Sequence, residues 1–154
     1  MAAAGARVVL IAVDDSEPSE LAFQFYVDNV CKPDDFVVFI HTPEYHEFSM
    51  ASQSVLEQVM KEVDSKVKRL SEKYKDKLEK TDLAGKFKTG VGKPGEVIVK
   101  AAKEEKAALV ITGTRGLGKI KRAFLGSVSD FVVHHSMVPV LVCRFDTKDK
   151  DKRN

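Results

Sequence analysis

Cysteine is scarce in this chain of 154 residues, which contains two, Cys31 and Cys143. Two cysteines are too few for the disulfide framework that stabilises small secreted domains, so we interpret both as small buried apolar residues. The opening MAAAGAR is not followed by the long apolar region of a secretory signal peptide before the aspartates at 14 and 15. These features together favour the reducing cytosol, and we predict a cytoplasmic protein.

Long apolar runs are also missing. VVLIAV (8–13) and ALVIT (108–112) are far shorter than the roughly 20 residues that a membrane-spanning helix needs. The 25 Lys and Arg residues nearly balance the 23 Asp and Glu residues, so binding to nucleic acid or to a membrane would need a local basic patch. A content of 44% hydrophobic and 31% charged residues is typical of a single globular domain.

Short apolar segments alternate with helical segments along the chain. Nearly continuous apolarity predicts strands that are covered on both faces, as in parallel sheets. The five predicted strands are RVVLIAV, FVVFIHT, FKTGV, ALVIT and VPVLVCR. Strict alternation with helical crossovers predicts an α/β protein, a three-layer sandwich whose five-stranded parallel sheet has the order 3-2-1-4-5 and carries four helices.

The first predicted helix has clear signals at its start. Ser16 is suited to the N-cap position, and Pro18 falls within the first turn. From the spacing we expect Leu21, Phe25 and Val30 to point toward the core.

A long helix is predicted over residues 51–80, because apolar side chains recur there at steps of three or four. These side chains are Val55, Val59, Val63, Val67, Leu70, Tyr74 and Leu78. They form one stripe that we expect to face the core, and we interpret the remaining Lys and Glu side chains as the solvated face.

The last two predicted helices are PGEVIVKAAKEE and SVSDFVVHHS. We expect a flexible N-terminus over residues 1–6, one domain over residues 7–145 and a charged, disordered tail over residues 146–154.

Two loops of opposite charge are predicted to meet at the carboxyl edge of the sheet, where ligands of doubly wound folds bind. The loop after the first strand, DDSEPSE (14–20), is acidic. The loop after the fourth strand carries the cations Arg115, Lys119, Lys121 and Arg122. A phosphate chain should therefore prefer the second loop.

The second loop is also rich in glycine, at positions 113, 116, 118 and 126. We expect these glycines to permit positive φ angles and a close approach of the backbone to a ligand. The fourth helix begins at Gly126-Ser127, and its free N–H groups favour an anion. The Ser127 hydroxyl can cap this helix or donate to a phosphate oxygen. The plainer alternative is a glycine-rich turn with solvent-facing lysines.

Other kinds of site fit the sequence less well. A P-loop would need Ser or Thr at the position of Ile120, and the GxGxxG pattern lacks its third glycine. The histidines at 41, 46, 134 and 135 lack a third metal ligand at a telling spacing. LGSVS lacks the second glycine of a serine-hydrolase elbow. The cations of the second loop lack interleaved aromatic residues, so we expect no nucleic-acid partner.

The pattern Gly113-x2-Gly116-x9-Gly126-Ser127, set between the strands LVIT and PVLV, resembles the ATP-binding signature of the universal stress protein family. VVLIAVDDSEPSELAF and FVVFIHT resemble that family's first two strands, and the resemblance covers nearly all of residues 7–144. It implies a Rossmann-like fold of the adenine nucleotide alpha hydrolase type.

The resemblance also implies a role for ten residues. Asp14 would lie near the ribose or a metal ion, the main chain near Ala12 and Val13 and at Thr42 beside the adenine, and the glycine-rich residues along the ribose and phosphates. The ten are Ala12, Val13, Asp14, Thr42, Gly113, Arg115, Gly116, Gly126, Ser127 and Val128.

From this resemblance we expect ATP or ADP as ligand, with Mg²⁺ or Mn²⁺ carried by the phosphates, and a homodimer formed through the last strand, 138–143. The function implied is that of a nucleotide-dependent regulator in the stress response. Two alternatives stay open. One is a slow ATPase or adenylate-kinase-like enzyme, for which Asp14 and Asp15 are the candidate bases. The other is an interaction module that binds no nucleotide.

Overall fold

The computed structural model describes residues 2–45, 52–114 and 125–145. Strands and helices alternate along the described chain, as the sequence predicts. Their bounds are β1 Val8–Ala12, α1 Glu17–Asn29, β2 Phe36–His41, α2 Gln53–Glu79, β3 Ala84–Thr89, α3 Pro94–Glu104, β4 Leu109–Thr114, α4 Ser127–His135 and β5 Val140–Arg144.

All neighbouring strands of the sheet are parallel, in the order β3-β2-β1-β4-β5. The predicted fold and strand order are therefore confirmed. β1 lies at the centre, where Val9 pairs with Val37 of β2 and with Leu109 of β4. From β1 the chain winds outward to β3 and then crosses back to β4. The carboxyl ends of β1 and β4 are thus adjacent at the point where the direction of winding changes.

Each face of the sheet is covered by two helices. On one face, α1 and α2 bury an aromatic group in which the rings of Phe23 and Phe39 meet edge to face at 5.3 Å, with Tyr26 and Tyr74 beside them. On the other face, α3 and α4 cover the cluster that contains Leu10, Val38, Ile98 and Val132. Burial on both faces explains the nearly continuous apolar sequences of β1, β2 and β4.

The predicted inward face of α1 is wrong for Leu21 and Phe25 and correct for Val30. Ser16 caps the helix and Pro18 lies in its first turn, as expected, but the buried apolar residues are Ala22, Phe23 and Tyr26. Phe25 is 39% exposed and Leu21 is only half-buried, whereas Val30, the C-cap residue, is half-buried and packs against the core cluster on this face. Apolar residues occur on several sides of this helix, so spacing alone does not identify the side that meets the sheet.

The predicted core stripe of α2 is correct only for its C-terminal part. Leu70, Tyr74 and Leu78 are buried. Toward the helix start the stripe becomes progressively more exposed, and Val55 reaches 44%. The helix is longer than the strands beside it, so its first turns have no sheet to pack against.

The third strand begins earlier than predicted, at Ala84, and ends at Thr89. It lies at the edge of the sheet, where exposed and half-buried residues alternate, so it lacks the apolar run of a central strand. The pairing of β2 with β3 extends one residue further, because Gly90 N–H donates to the His41 carbonyl at 3.0 Å.

Near the N-terminus, Ala6 N–H donates to the Ala3 carbonyl at 3.0 Å, and Ala2 and Ala6 pack against the cluster beneath α3 and α4. The predicted tail, 146–154, lies outside the described residues. Within the described parts of the chain, the helices lack the combination of length and apolarity that crossing a bilayer requires.

Candidate functional site

A cleft of about 1320 Å³ opens at the carboxyl ends of β1 and β4, where doubly wound folds bind ligands. Eight of the ten residues singled out from the sequence line this cleft. They are Ala12, Val13, Asp14, Thr42, Gly113, Gly126, Ser127 and Val128. The other two, Arg115 and Gly116, lie outside the described residues. Three segments that are far apart in sequence therefore converge on one cavity.

The loop after β1 holds the Asp14 carboxylate in a fixed orientation. Asp14 Oδ1 accepts hydrogen bonds from the Ser16 N–H, at 3.0 Å, and from the Ser16 hydroxyl. Asp14 N–H donates to Ser19 Oγ at 3.1 Å, and the Ser16 hydroxyl caps α1 by accepting from Ser19 N–H. The loop is thus built on the first turn of α1, and its exposed carboxylate faces the cleft.

Helix α2 contacts both this loop and the first turn of α1, which covers the same face of the sheet. Tyr74 OH lies 2.7 Å from Ser19 Oγ in a buried hydrogen bond. The adjacent Lys73 forms ion pairs with Glu20 and, at 3.6 Å, with Asp15. The Glu20 carboxylate raises the pKa of Lys73. Lys73 therefore offsets part of the negative charge of the loop, a contribution that sequence reasoning missed.

His41 connects the ends of β1 and β2. Its Nδ1 lies 2.8 Å from the Val13 carbonyl oxygen, and since a carbonyl only accepts, Nδ1 carries the proton. The Val13 N–H donates to Ile40 O at 3.0 Å. Both main-chain polar groups of Val13 are therefore bonded within the protein. By contrast, the Thr42 main chain makes no hydrogen bond among the described residues, so it is available to a ligand.

The glycine-rich side of the cleft leads into the start of α4. Gly126 is the N-cap residue, with φ 84° and ψ 150°, and it makes no side-chain cap bond. Ser127 is therefore the first helical residue and not the cap. Thr112 Oγ1 and Ser129 Oγ, 2.7 Å apart and buried, hold this turn of α4 against β4. The first-turn N–H groups of α4 have no partner among the described residues, and these groups together with the helix dipole favour an anion.

Gly113 differs from its expected role. It lies within β4 and is not among the glycines with positive φ. A Cβ atom at this position would lie 2.6 Å from the Pro18 carbonyl oxygen, so the missing side chain allows α1 to approach the strand. The expectation of a positive φ holds for Gly126, whereas positions 116 and 118 lie outside the described residues.

The described cations that line the cleft come from α2. Lys66, Arg69 and Lys73 recur at helical spacing and all face the cavity. From the sequence, the Lys and Glu residues of this helix are interpreted as solvated, and the signal that could have revealed their position is their three- and four-residue spacing. The loop cations at 115, 119, 121 and 122 lie outside the described residues.

No group of three or more His, Cys, Asp or Glu residues within the described ranges is arranged to hold a metal ion. Asp14 is one of several exposed carboxylates that line this cleft.

The sheet order and the two pairs of helices define a Rossmann-like α/β protein. The model of the universal stress protein family matches residues 5–144. The chain therefore belongs to the universal stress protein family.

Individual relatives agree with this assignment. Universal stress protein Sll1388 of Synechocystis is 30% identical over 132 residues, which cover 86% of this chain and 83% of that protein. Universal stress protein MJ0577 of Methanocaldococcus jannaschii is 28% identical over 153 residues. Its solved structure has a TM-score of 0.78 and 27% identity, and the match covers 92% of this chain and 97% of that one.

More distant solved structures share the fold. A family member from Arabidopsis thaliana with AMP bound has a TM-score of 0.70 at 20% identity, covering 93% of this chain and 94% of that one. A universal stress protein in complex with cAMP has a TM-score of 0.66 at 21% identity, covering 88% and 95%.

Proposed function

We propose that this protein binds an adenine nucleotide, ATP or ADP, in the cleft at the carboxyl ends of β1 and β4, and acts as a nucleotide-dependent regulator in the stress response. One observation carries the proposal. A single cavity is lined by the hydrogen-bonded carboxylate of Asp14, by the N-terminus of α4 and by the main chain at Thr42, which makes no hydrogen bond among the described residues. A sugar, a phosphate chain and a base require these three kinds of group.

The positions of the lining residues support the roles that the family resemblance implies. The ribose would lie beside Asp14, and the phosphates would approach Gly126, Ser127 and Val128 at the start of α4. The base would contact the main chain at Thr42. Adenine nucleotides bound to two solved structures of the same fold, AMP in one and cAMP in the other, support this class of ligand.

A divalent cation fits the proposal if the phosphates carry it. Mg²⁺ prefers oxygen ligands and commonly uses one or two carboxylates together with phosphates and water. Asp14 Oδ1 is occupied by Ser16, which leaves Asp14 Oδ2 as the oxygen that would meet Mg²⁺ or Mn²⁺.

The test is calorimetric titration of nucleotide-stripped protein with ATP, ADP and AMP, using Ser127→Asp as the diagnostic variant. An acidic side chain in the first turn of a helix stabilises that helix by about 0.3–1 kcal/mol, so the fold should keep its thermal stability. The same charge should repel phosphates, and we expect ATP affinity to fall at least about tenfold. AMP affinity should fall less, because fewer phosphate charges are involved.

Ser127→Ala is the matched control and should change ATP affinity by a much smaller factor. Unchanged ATP binding in Ser127→Asp would contradict the position proposed for the phosphates. If the wild-type protein binds neither ATP nor ADP at millimolar concentration, the proposal fails and a nucleotide-free interaction module becomes the better interpretation. If ATP is turned over and Asp14→Asn removes the activity, the protein is an enzyme and not a passive nucleotide sensor.

The protein also has a surface suited to self-association. β5 pairs with β4 on one side only within the described chain, and Val140, Leu141 and Val142 are half-buried. Exposed apolar strand edges favour pairing with another strand. We propose a homodimer formed through residues 138–143.

A further inference from the structure

Helix α2 extends far beyond the edge of the sheet. Tyr74 lies beside the loop after β1, at the carboxyl end of the sheet. Its OH is hydrogen-bonded to Ser19 Oγ, which in turn accepts from Asp14 N–H. The helix begins at Gln53. At about 1.5 Å per residue, roughly 30 Å of helix therefore lies on the N-terminal side of Tyr74. This part of α2 stands above the sheet and beside the cleft.

The apolar stripe of α2 continues into this projecting part. Leu70 is 4% exposed and Tyr74 is fully buried, whereas Val59, Val63 and Val67 are half-buried. These three valines line the cleft, and so does Leu70. Burial therefore decreases where the sheet ends and the cavity begins, and the cavity is the space that the half-buried valines face.

The valines adjoin the end of the cleft that is proposed for the base. α2 packs over β3, and β3 pairs with β2 through His41, the residue before Thr42. The same cavity includes Thr42 and Pro43. A purine base has two apolar faces and a polar edge, so its site needs an apolar wall in addition to hydrogen-bonding groups. Main-chain groups at Thr42 can form hydrogen bonds with the polar edge of the purine, but they cannot cover a face of its ring.

We propose that Val63 and Val67 form the apolar wall against which the base of the bound adenine nucleotide packs. The proposal deepens the proposed function and depends on it, because it assumes a nucleotide in this cleft. The occupant is the base itself, since the wall is continuous with the cavity that holds Asp14 and the start of α4. A bound base would cover the part of these valine side chains that the described residues leave exposed.

The experiment compares the double variant Val63→Ala/Val67→Ala with Val55→Ala. Val55 belongs to the same stripe but does not line the cleft, so it is a matched control. Alanine has the highest helix propensity, and neither variant should weaken α2. Removing methyl groups from an apolar pocket reduces affinity by roughly tenfold or more. We expect the double variant to lose about tenfold in affinity for AMP and for ATP alike, and Val55→Ala to lose none.

An equal loss for AMP and ATP is expected of a contact with the base, which both nucleotides share, whereas the phosphate-end variant Ser127→Asp should penalise ATP more strongly. A double variant that binds both nucleotides as tightly as the wild type would overturn the inference and leave the proposed function intact. A loss confined to ATP, or an equal loss in Val55→Ala, would also overturn it. Absence of nucleotide binding in the wild type would remove the proposed function and this inference with it.

Discussion

The carbonyl oxygen of Pro18 lies 2.6 Å from the point that a Cβ atom on Gly113 would occupy. This relationship joins the first turn of α1 to the last residues of β4. The Cβ atom of Ala22 is also close, at 3.4 Å. Gly113 therefore shapes the cleft indirectly, because it sets how closely α1, with the loop that carries Asp14, approaches β4.

Replacing Gly113 should destabilise the fold as well as the site. In Gly113→Ala the added methyl group cannot fit beside backbone atoms unless α1 or β4 shifts, and overpacking of this kind costs about 1–3 kcal/mol. Urea unfolding followed by circular dichroism would measure the loss. Gly126→Ala is the comparison, since a Cβ there meets no atom within 4 Å and any cost must come from its φ of 84°. An unchanged unfolding midpoint in Gly113→Ala would contradict the close contact.

The hydrogen bonds of Ser19 give a second prediction about the loop after β1. Ser19→Ala removes the partner of the Asp14 N–H and of the buried Tyr74 hydroxyl, and a buried polar group left without a partner costs about 1–3 kcal/mol. Tyr74→Phe removes one hydroxyl and leaves Ser19 Oγ bonded to Asp14. We therefore expect Ser19→Ala to lower the free energy of unfolding more than Tyr74→Phe does. Denaturant titration of both variants measures the difference, and the reverse order would contradict it.

At the opposite end of the sheet, a buried carboxylate fixes the start of β2. Asp35 accepts hydrogen bonds from Arg7 Nε at 2.7 Å, Tyr26 OH at 2.7 Å and Lys32 N–H at 2.9 Å. Burial alone would raise the pKa of Asp35, but the hydrogen bonds from Arg7, Lys32 and Tyr26 outweigh it and hold the pKa below its ordinary value. The charged form is therefore part of the folded structure.

This lowered pKa predicts a stability that depends on pH. The contribution of Asp35 is fully present above the pKa of the unfolded chain, about 3.9, and is lost as the pH falls through the lower pKa of the folded state. Asp35→Asn removes the charge that pairs with Arg7 and should cost roughly 3 kcal/mol at neutral pH. Urea unfolding at pH 7 and at progressively lower pH measures the difference in the free energy of unfolding between wild type and Asp35→Asn. This difference should become smaller below about pH 4. A difference in free energy of unfolding that does not change with pH would contradict the stabilising role of the charged Asp35 carboxylate.

The sequence predicts the architecture well because alternation of apolar strands with helices is a local property. It does not predict which side of α1 is buried. Leu21, Phe23 and Phe25 alternate along that helix, and Phe23 is the one buried, because it meets Phe39 and Tyr74 from other elements. Such a choice depends on partners that are distant in sequence, and a periodicity within one helix carries no information about them.

The candidate site, like the fold, could be predicted from the sequence only in part. The segments around Asp14, Thr42 and Gly126 can be recognised from the strands that precede them and from the glycine spacing. The apolar contribution of α2 could not be recognised, because the pattern that brings Val63 and Val67 to the cleft is the same pattern that brings Leu70 to the core. What separates them is the length of the helix relative to the strands, and only the assembled sheet reveals it.

The exposed edge of β5 gives a last prediction, which concerns the oligomeric state. Val142 lies in this strand, is half-buried and belongs to neither core cluster. Val142→Lys should therefore leave the fold intact, and a charge on an edge strand disfavours pairing with another strand. We expect sedimentation analysis to show a dimer for the wild type and a monomer for Val142→Lys. Met137→Lys is the control, because Met137 is 98% exposed and lies just before the edge segment. A wild type that remains monomeric as its concentration rises, or a Val142→Lys variant that still dimerises, would show that this edge is not the interface.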